Sequence, residues 1–196
     1  MRSSRWVPPA LPVPRSFDRL DAAVDAWFEA NLRGRRGVDP VMYGASAAGD
    51  HGVIWVALAL LQAGGRQPGW QRRLLRASAG LAAESALVNG PVKWMFRRTR
   101  PVHEGERPRH LRQPRTSSFP SGHASAAFFG AALLRGGDQV WPLYYALAVV
   151  VAASRVHVRI HHASDVVGGA LVGALLGELV RRLVPCDPES PAGTGR

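Results

Sequence analysis

The 196-residue chain contains one cysteine, Cys186, and one lysine, Lys93. A single cysteine excludes an internal disulfide framework and any zinc cage built from thiolates. No uninterrupted apolar run reaches the roughly 18 residues that mark a membrane helix at once. The longest are nine residues at 53–61 and fourteen at 140–153. Acids are few, 14 against 25 basic residues. In the apolar segments they are scattered, as at Asp50, Glu84 and Asp165, with no cluster to hold two divalent ions. Hydrophobic residues make up 46% of the chain, which excludes wholesale disorder and predicts a single domain with a sizeable core.

Arginine supplies 24 of the 25 cations, and the net charge is +11. Such a charge suits an anionic partner, whether nucleic acid, membrane surface or phosphorylated substrate, without choosing among them. An arginine-rich codon usage accounts for the 24 and not for the exception. Either Lys93 needs a compact ammonium where a planar guanidinium will not serve, or one lysine has survived by accident; its neighbours decide.

Residues 1–15 are Pro-rich and read as a flexible arm, with no apolar stretch of a secretory signal. Residues 16–33 carry Phe17, Leu20, Val24, Trp27, Phe28 and Leu32 at helical spacing behind a Ser16 cap. This predicts an amphipathic helix, packed on the body or lying at a membrane surface. Gly34 to Pro40 breaks it. Five apolar helical segments follow, at about 50–63, 71–96, 122–135, 140–155 and 164–184. In the last, Ser164 can cap the helix, and Gly168, Gly169, Gly173 and Gly177 form a small-residue face. Only Val156 to Ile160 alternates as a strand would. Residues 97–119 form a long polar loop and 185–196 a Pro/Gly-rich tail. The prediction is an all-α, up-and-down bundle of five to six helices, one domain over 16–184. Hydropathy alone fits a soluble bundle and a small membrane bundle equally well.

Three polar clusters stand at the ends of these segments: Lys93-x6-Arg100-Pro101, Pro120-Ser121-Gly122-His123, and Ser154-Arg155-x5-His161-x3-Asp165. In an up-and-down bundle all three meet at one end. A phosphate dianion needs several fixed cationic donors. Lys93 offers a point charge, and Arg100 and Arg155 offer forked ones. The backbone N–H groups of Ser121 and Gly122, opening a helix, suit an anion, and Gly122 allows close approach.

All eleven fixed positions of these clusters, in this order, resemble the signature of the type 2 phosphatidic acid phosphatase superfamily. That superfamily includes lipid phosphate phosphatases, bacterial acid phosphatases and vanadium haloperoxidases. The resemblance covers about residues 43–183 and places the only lysine on the signature's lysine. It implies that His161 is the nucleophile forming a phosphohistidine, that Asp165 orients it, and that His123 protonates the leaving oxygen and then activates water. Lys93, Arg100, Ser121, Gly122 and Arg155 would bind the phosphate. This chemistry needs no metal or other cofactor.

The resemblance also implies a membrane-embedded bundle in the bacterial cytoplasmic membrane, with its site on the extracytoplasmic face. Residues 16–33, with Asp18, Asp21, Asp25 and Glu29, make a poor spanning segment, so five crossings and an interfacial N-terminal helix are expected. The partners expected are membrane lipids and a lipid phosphate: phosphatidic acid, phosphatidylglycerol phosphate, a polyprenyl phosphate or pyrophosphate, or a prenyl-linked sugar phosphate. A vanadate-dependent haloperoxidase is the alternative enzyme, disfavoured by the short chain. A nucleic-acid binder would interleave aromatics with its cations, whereas the aromatics here lie mostly in apolar segments. Arg97, Arg98, Arg107, Arg109, Arg112 and Arg115 are expected as surface charges drawing anions to the site. His157 is expected as structural or as a support behind the site residues, and Glu84 either as a buried polar partner or as a group facing water.

Overall fold

The computed structural model describes residues 11–12, 14, 16–64, 69–102, 111, 116–136 and 139–186. Most of the expected arm and tail, and the loop positions Arg107, Arg109, Arg112 and Arg115, lie outside the described residues. Among those described, seven α-helices of eleven residues or more form an all-α bundle: α1 (Ser16–Asn31), α2 (Val38–Ala48), α3 (Val53–Gly64), α4 (Trp70–Leu87), α5 (Gly122–Leu134), α6 (Trp141–His157) and α7 (Ala163–Leu183).

The central element is α5. Ala124, Ser125, Ala127 and Phe129 to Leu134 are all buried. Helix α7 packs along it most extensively, and α6 and α4 flank it. Close approach of α7 depends on glycine. A Cβ at Gly169 would strike the Ser121 carbonyl, one at Gly173 the Ser125 carbonyl, and one at Gly177 would lie 2.8 Å from the Phe129 carbonyl. The small-residue face is therefore the α5–α7 seam. Trp55, Leu81, Phe129, Leu133 and Val151 fill the core between α3, α4, α5 and α6.

Two local readings change. The stretch 38–48 is helical, whereas the sequence reading ran its break through Pro40 and began the next segment at residue 50. Pro40 falls in the first turn of α2, where its missing N–H costs nothing. The alternating Val156 to Ile160 is not a strand. Helix α6 continues through His157, and the N–H groups of Ile160 and His161 fold back to the Arg155 carbonyl at 3.1 and 3.2 Å. The helix end satisfies these donors, and there is no neighbouring strand among the described residues to compete.

Helix α1 packs on the body. Phe28 joins Ala124, Ala152, Val156 and Val166 in one apolar cluster. Its acidic face turns toward cations: Arg33 meets Asp25 at 2.5 Å, and Arg159 meets Glu29 at 2.7 Å. Phe17, Leu20 and Trp27 remain exposed on the other side. Helix α7 also carries an exposed apolar row, Val167, Leu171, Leu175, Leu179 and Leu183, at four-residue spacing. Among the described residues, α7 is long and apolar enough to cross a bilayer; α2 and α3 meet that test only together, across an 80° bend.

Candidate active site

The bundle brings the end of α4, the start of α5, the end of α6 and the start of α7 together. Beyond Leu87 the chain leaves α4 through a wider π turn, Val88–Val92, where Gly90 is non-helical and Pro91 interrupts the ladder. One short turn, Lys93–Met95, follows and carries the Lys93 side chain inward, to 6% exposure. There its ammonium lies within electrostatic reach of Arg100, Arg155, Asp165 and Glu84.

Arg100 is fixed by three carbonyls. Its Nη1 donates to Ile160 O at 3.0 Å, and its Nη2 to Thr116 O and Ser117 O at 3.3 and 3.2 Å. Nη1 also lies 3.2 Å from His161 Nε2. A guanidinium only donates, so His161 Nε2 accepts, and the ring's hydrogen sits on Nδ1. Nδ1 faces Asp165 Oδ2 at 3.6 Å, longer than a hydrogen bond. Burial, followed by the charges of Arg100 and Arg155, pushes the His161 pKa down to about 3. The imidazole is neutral at physiological pH, with its lone pair on the Arg100 side.

Asp165 is fully buried. Its carboxylate accepts from Arg98 Nη1 at 2.6 Å, from the His162 N–H at 2.8 Å and from the Ser118 hydroxyl. The His162 bond makes Asp165 part of the α7 capping box, so the expected Ser164 cap is not the one used. Arg155, at the end of α6, is 3% exposed and donates to the Ser46 hydroxyl of α2. His123 stands in the first turn of α5, where Arg155 and Lys93 act on it electrostatically. Arg155 thus acts on both histidines.

The helix-opening pair departs from expectation. Ser121 caps α5, accepting from Ala124 N–H at 3.4 Å, but its own N–H donates to the Asp165 carbonyl at 2.9 Å. The N–H groups at this helix start that lack an intrahelical acceptor are therefore those of Gly122 and His123. A Cβ on Gly122 would meet Asn89 Oδ1 at 2.6 Å, so the missing side chain makes room for an amide. Beside these residues a cavity of about 620 Å³ is lined by Lys93 and Arg100 together with Trp94, Phe96, Asn89 and Thr116.

Residues 73–186 match the PAP2 superfamily. The chain belongs to that superfamily. It is 35% identical over 162 residues to decaprenylphosphoryl-5-phosphoribose phosphatase of Mycobacterium tuberculosis, covering 83% of this chain and 89% of that one. It is 36% identical over 108 residues to the undecaprenyl-diphosphatase of Sulfolobus acidocaldarius, about half of each chain (53% and 52%). Its fold is similar to that of a transmembrane PAP2 phosphatidylglycerolphosphate phosphatase from Bacillus subtilis, with a TM-score of 0.64, 23% identity and 87% of each chain covered.

Several polar residues of this PAP2 phosphatase escaped the sequence reading. Arg98 is not a surface charge. Its side chain is 11% exposed, and it bridges Asp165 to Asp21 of α1 at 2.6 and 2.5 Å. Asp21 in turn receives both the N–H and the hydroxyl of Ser164, at 2.8 and 2.7 Å. Glu84, by contrast, is the first of its two expected alternatives: it is buried and accepts from the Ser125 hydroxyl. Asp50 lies 2.7 Å from His123 Nε2. His157 is structural, as read: buried against Tyr43 and Phe28 and paired with Asp39 at 2.8 Å. Among the described residues, no three His, Cys, Asp or Glu side chains form a group suited to a metal.

Proposed function

We propose that this PAP2 phosphatase hydrolyses a lipid-linked phosphate through a phosphohistidine on His161. The observation that carries the reading is the setting of His161: Arg100 Nη1 lies 3.2 Å from Nε2, which leaves the lone pair there, and Nδ1 faces Asp165. In the first step the Nε2 lone pair forms a bond to phosphorus. The bond from phosphorus to the leaving oxygen breaks, and that oxygen takes its electron pair and a proton from His123. In the second step His123 removes a proton from water, whose oxygen bonds to phosphorus as the P–N bond breaks, releasing phosphate and neutral His161.

Lys93, Arg100, Arg155 and the N–H groups of Gly122 and His123 stabilise the charge on the transferring group. Arg100 has a double role. Its Nη1 holds the nucleophile's lone pair at rest, and an entering phosphate dianion draws the guanidinium to itself and frees Nε2.

The substrate we favour is a polyprenyl-linked sugar phosphate. The near full-length similarity to the mycobacterial enzyme supports this, as does a cavity joining two cations to Trp94 and Phe96. The exposed leucine row of α7 supports burial in a bilayer. Arg135, Arg181 and Arg182 gather on Glu178 at the end of the bundle away from the site. By the positive-inside rule these charges favour a cytoplasmic end there and a site on the extracytoplasmic face, the still more basic loop at 97–119 being assigned to drawing in the phosphate. The test is phosphate release from a panel of prenyl-linked sugar phosphates, polyprenyl pyrophosphates, phosphatidic acid and phosphatidylglycerol phosphate by detergent-purified protein, with His161→Ala as control. The prenyl-linked sugar phosphate turns over fastest in this account; preference for a glycerophospholipid overturns the substrate assignment.

A further inference from the structure

The two histidines of the site each face a carboxylate, but from opposite ring nitrogens. His161 turns Nδ1 to Asp165, whereas His123 turns Nε2 to Asp50 Oδ1 at 2.7 Å. Asp50 lies in the turn between α2 and α3, outside the residues 73–186 that match the superfamily. The local backbone is built for the contact. A Cβ on Gly49 would lie 2.8 Å from Val151 Cγ1 and 3.1 Å from His123 Cδ2, so the turn presses directly against the imidazole. Gly52 closes the turn with φ +68, a conformation that side-chain-bearing residues rarely adopt.

We propose that Asp50 is the positioning residue for His123, fixing its tautomer and keeping it able to carry a proton. This rests on the acid–base role given to His123 above. A carboxylate only accepts, so Nε2 bears a hydrogen, and Nδ1 is the nitrogen that exchanges a proton with the substrate. The charged groups acting on the ring come from three elements: Asp50 from the turn before α3, Arg155 from α6 and Lys93 from the turn after α4. Glu84 of α4 is engaged two residues along α5, at Ser125. The two cations serve the phosphate and oppose an imidazolium beside it. Asp50 offsets them.

With that support, the cationic ring gives its Nδ1 proton to the leaving oxygen as the bond to phosphorus breaks, and becomes neutral with Nε2–H still on Asp50. It then takes one proton from the attacking water at Nδ1, which restores the cation. Without Asp50 the ring is neutral over more of the pH range and loses its fixed orientation. An alkoxide leaving group, which needs the proton, then suffers. A nitrophenolate, which does not, is far less affected.

The test compares wild type, Asp50→Asn and His123→Ala on a lipid alkyl phosphate and on p-nitrophenyl phosphate, over pH 5 to 9. For Asp50→Asn the expected loss in kcat on the alkyl phosphate is on the order of ten- to hundredfold at unchanged KM. The loss on the aryl phosphate is much smaller, and the basic limb of the kcat profile moves to lower pH. Equal losses on both substrates, or a basic limb that stays in place, overturn the assignment of Asp50. If His123→Ala itself lacks the leaving-group dependence, the role of His123 fails first, and the two failures are thereby told apart. Nitrogen-15 NMR of histidine-labelled wild type, with the His123 signal assigned by its loss in His123→Gln, reads the tautomer without an Asp50 variant. Neutral His123 protonated at Nε2 supports the proposal, and protonation at Nδ1 overturns it.

Discussion

Arg100 donates to His161 Nε2 across 3.2 Å while the other ring nitrogen faces Asp165. In the proposed mechanism one cation thus sets the tautomer of the nucleophile and also binds the entering phosphate. A lysine at this position would keep the charge. It could not span Ile160 O, Thr116 O, Ser117 O and His161 at once, because those contacts use both ends of a rigid fork. Arg100→Lys should therefore cost on the order of a hundredfold in kcat/KM, measured as phosphate release from a lipid phosphate. Near wild-type activity would contradict the double role of Arg100.

The burial of His161 has a consequence for stability. Its folded-state pKa is pushed down to about 3 by burial, with Arg100 and Arg155 adding to the effect. An unfolded histidine titrates near 6.5. Between these values the unfolded chain binds a proton that the native protein refuses, so acidification through that window favours unfolding. Above about pH 6.5 this contribution to stability is fully present. The melting temperature should fall between pH 7 and pH 4.5 by more in wild type than in His161→Gln. An equal fall would show that His161 protonates readily in the folded protein.

Arg98 should matter for folding as much as for activity. Its guanidinium joins two carboxylates, Asp21 and Asp165, whose side chains are only 4% and 0% exposed. Arg98→Met leaves both buried carboxylates without their shared cation, with a cost of about 3–5 kcal/mol. Arg97, whose residue is exposed, is the control. Thermal melts of the two variants check this: Arg98→Met melts well below wild type and Arg97→Met close to it.

The sequence made the chemistry more legible than its support. Lys93, Arg100, His123, Arg155, His161 and Asp165 could be singled out because each residue type does something a substitute cannot, in clusters whose spacing sets them at or just beyond helix ends. Arg98 was invisible for the opposite reason: in an arginine-rich loop nothing local separates a bridging guanidinium from a solvated one. Asp21 lies on a helix whose acids spoke in sequence only against a membrane span, and only the fold turns Asp21 onto Arg98 and Ser164. Asp50 sits in a glycine turn with no periodicity of its own. Helix α2 was hidden because Pro40 and the glycines around it read as a break, although proline in a first turn is harmless.

The donor set of Lys93, Arg100 and Arg155 suits a trigonal-bipyramidal oxyanion, so vanadate should inhibit competitively with the lipid phosphate. Dialysis against a chelator should leave phosphate release unchanged, because charge stabilisation here is assigned to side chains and helix N–H groups. Activity lost in chelator and restored by a divalent cation would contradict that assignment.

The most direct measurement is trapping by a quench into alkaline detergent, with a substrate radiolabelled in its phosphate. The account predicts label on the protein that is stable to base and labile to acid, mapping to His161. It should be present in wild type, retained for longer in His123→Ala when the donor is a labelled aryl phosphate that leaves without a proton, and missing in His161→Ala. Turnover without any labelled protein, or label that persists in His161→Ala, would contradict a phosphohistidine at this position.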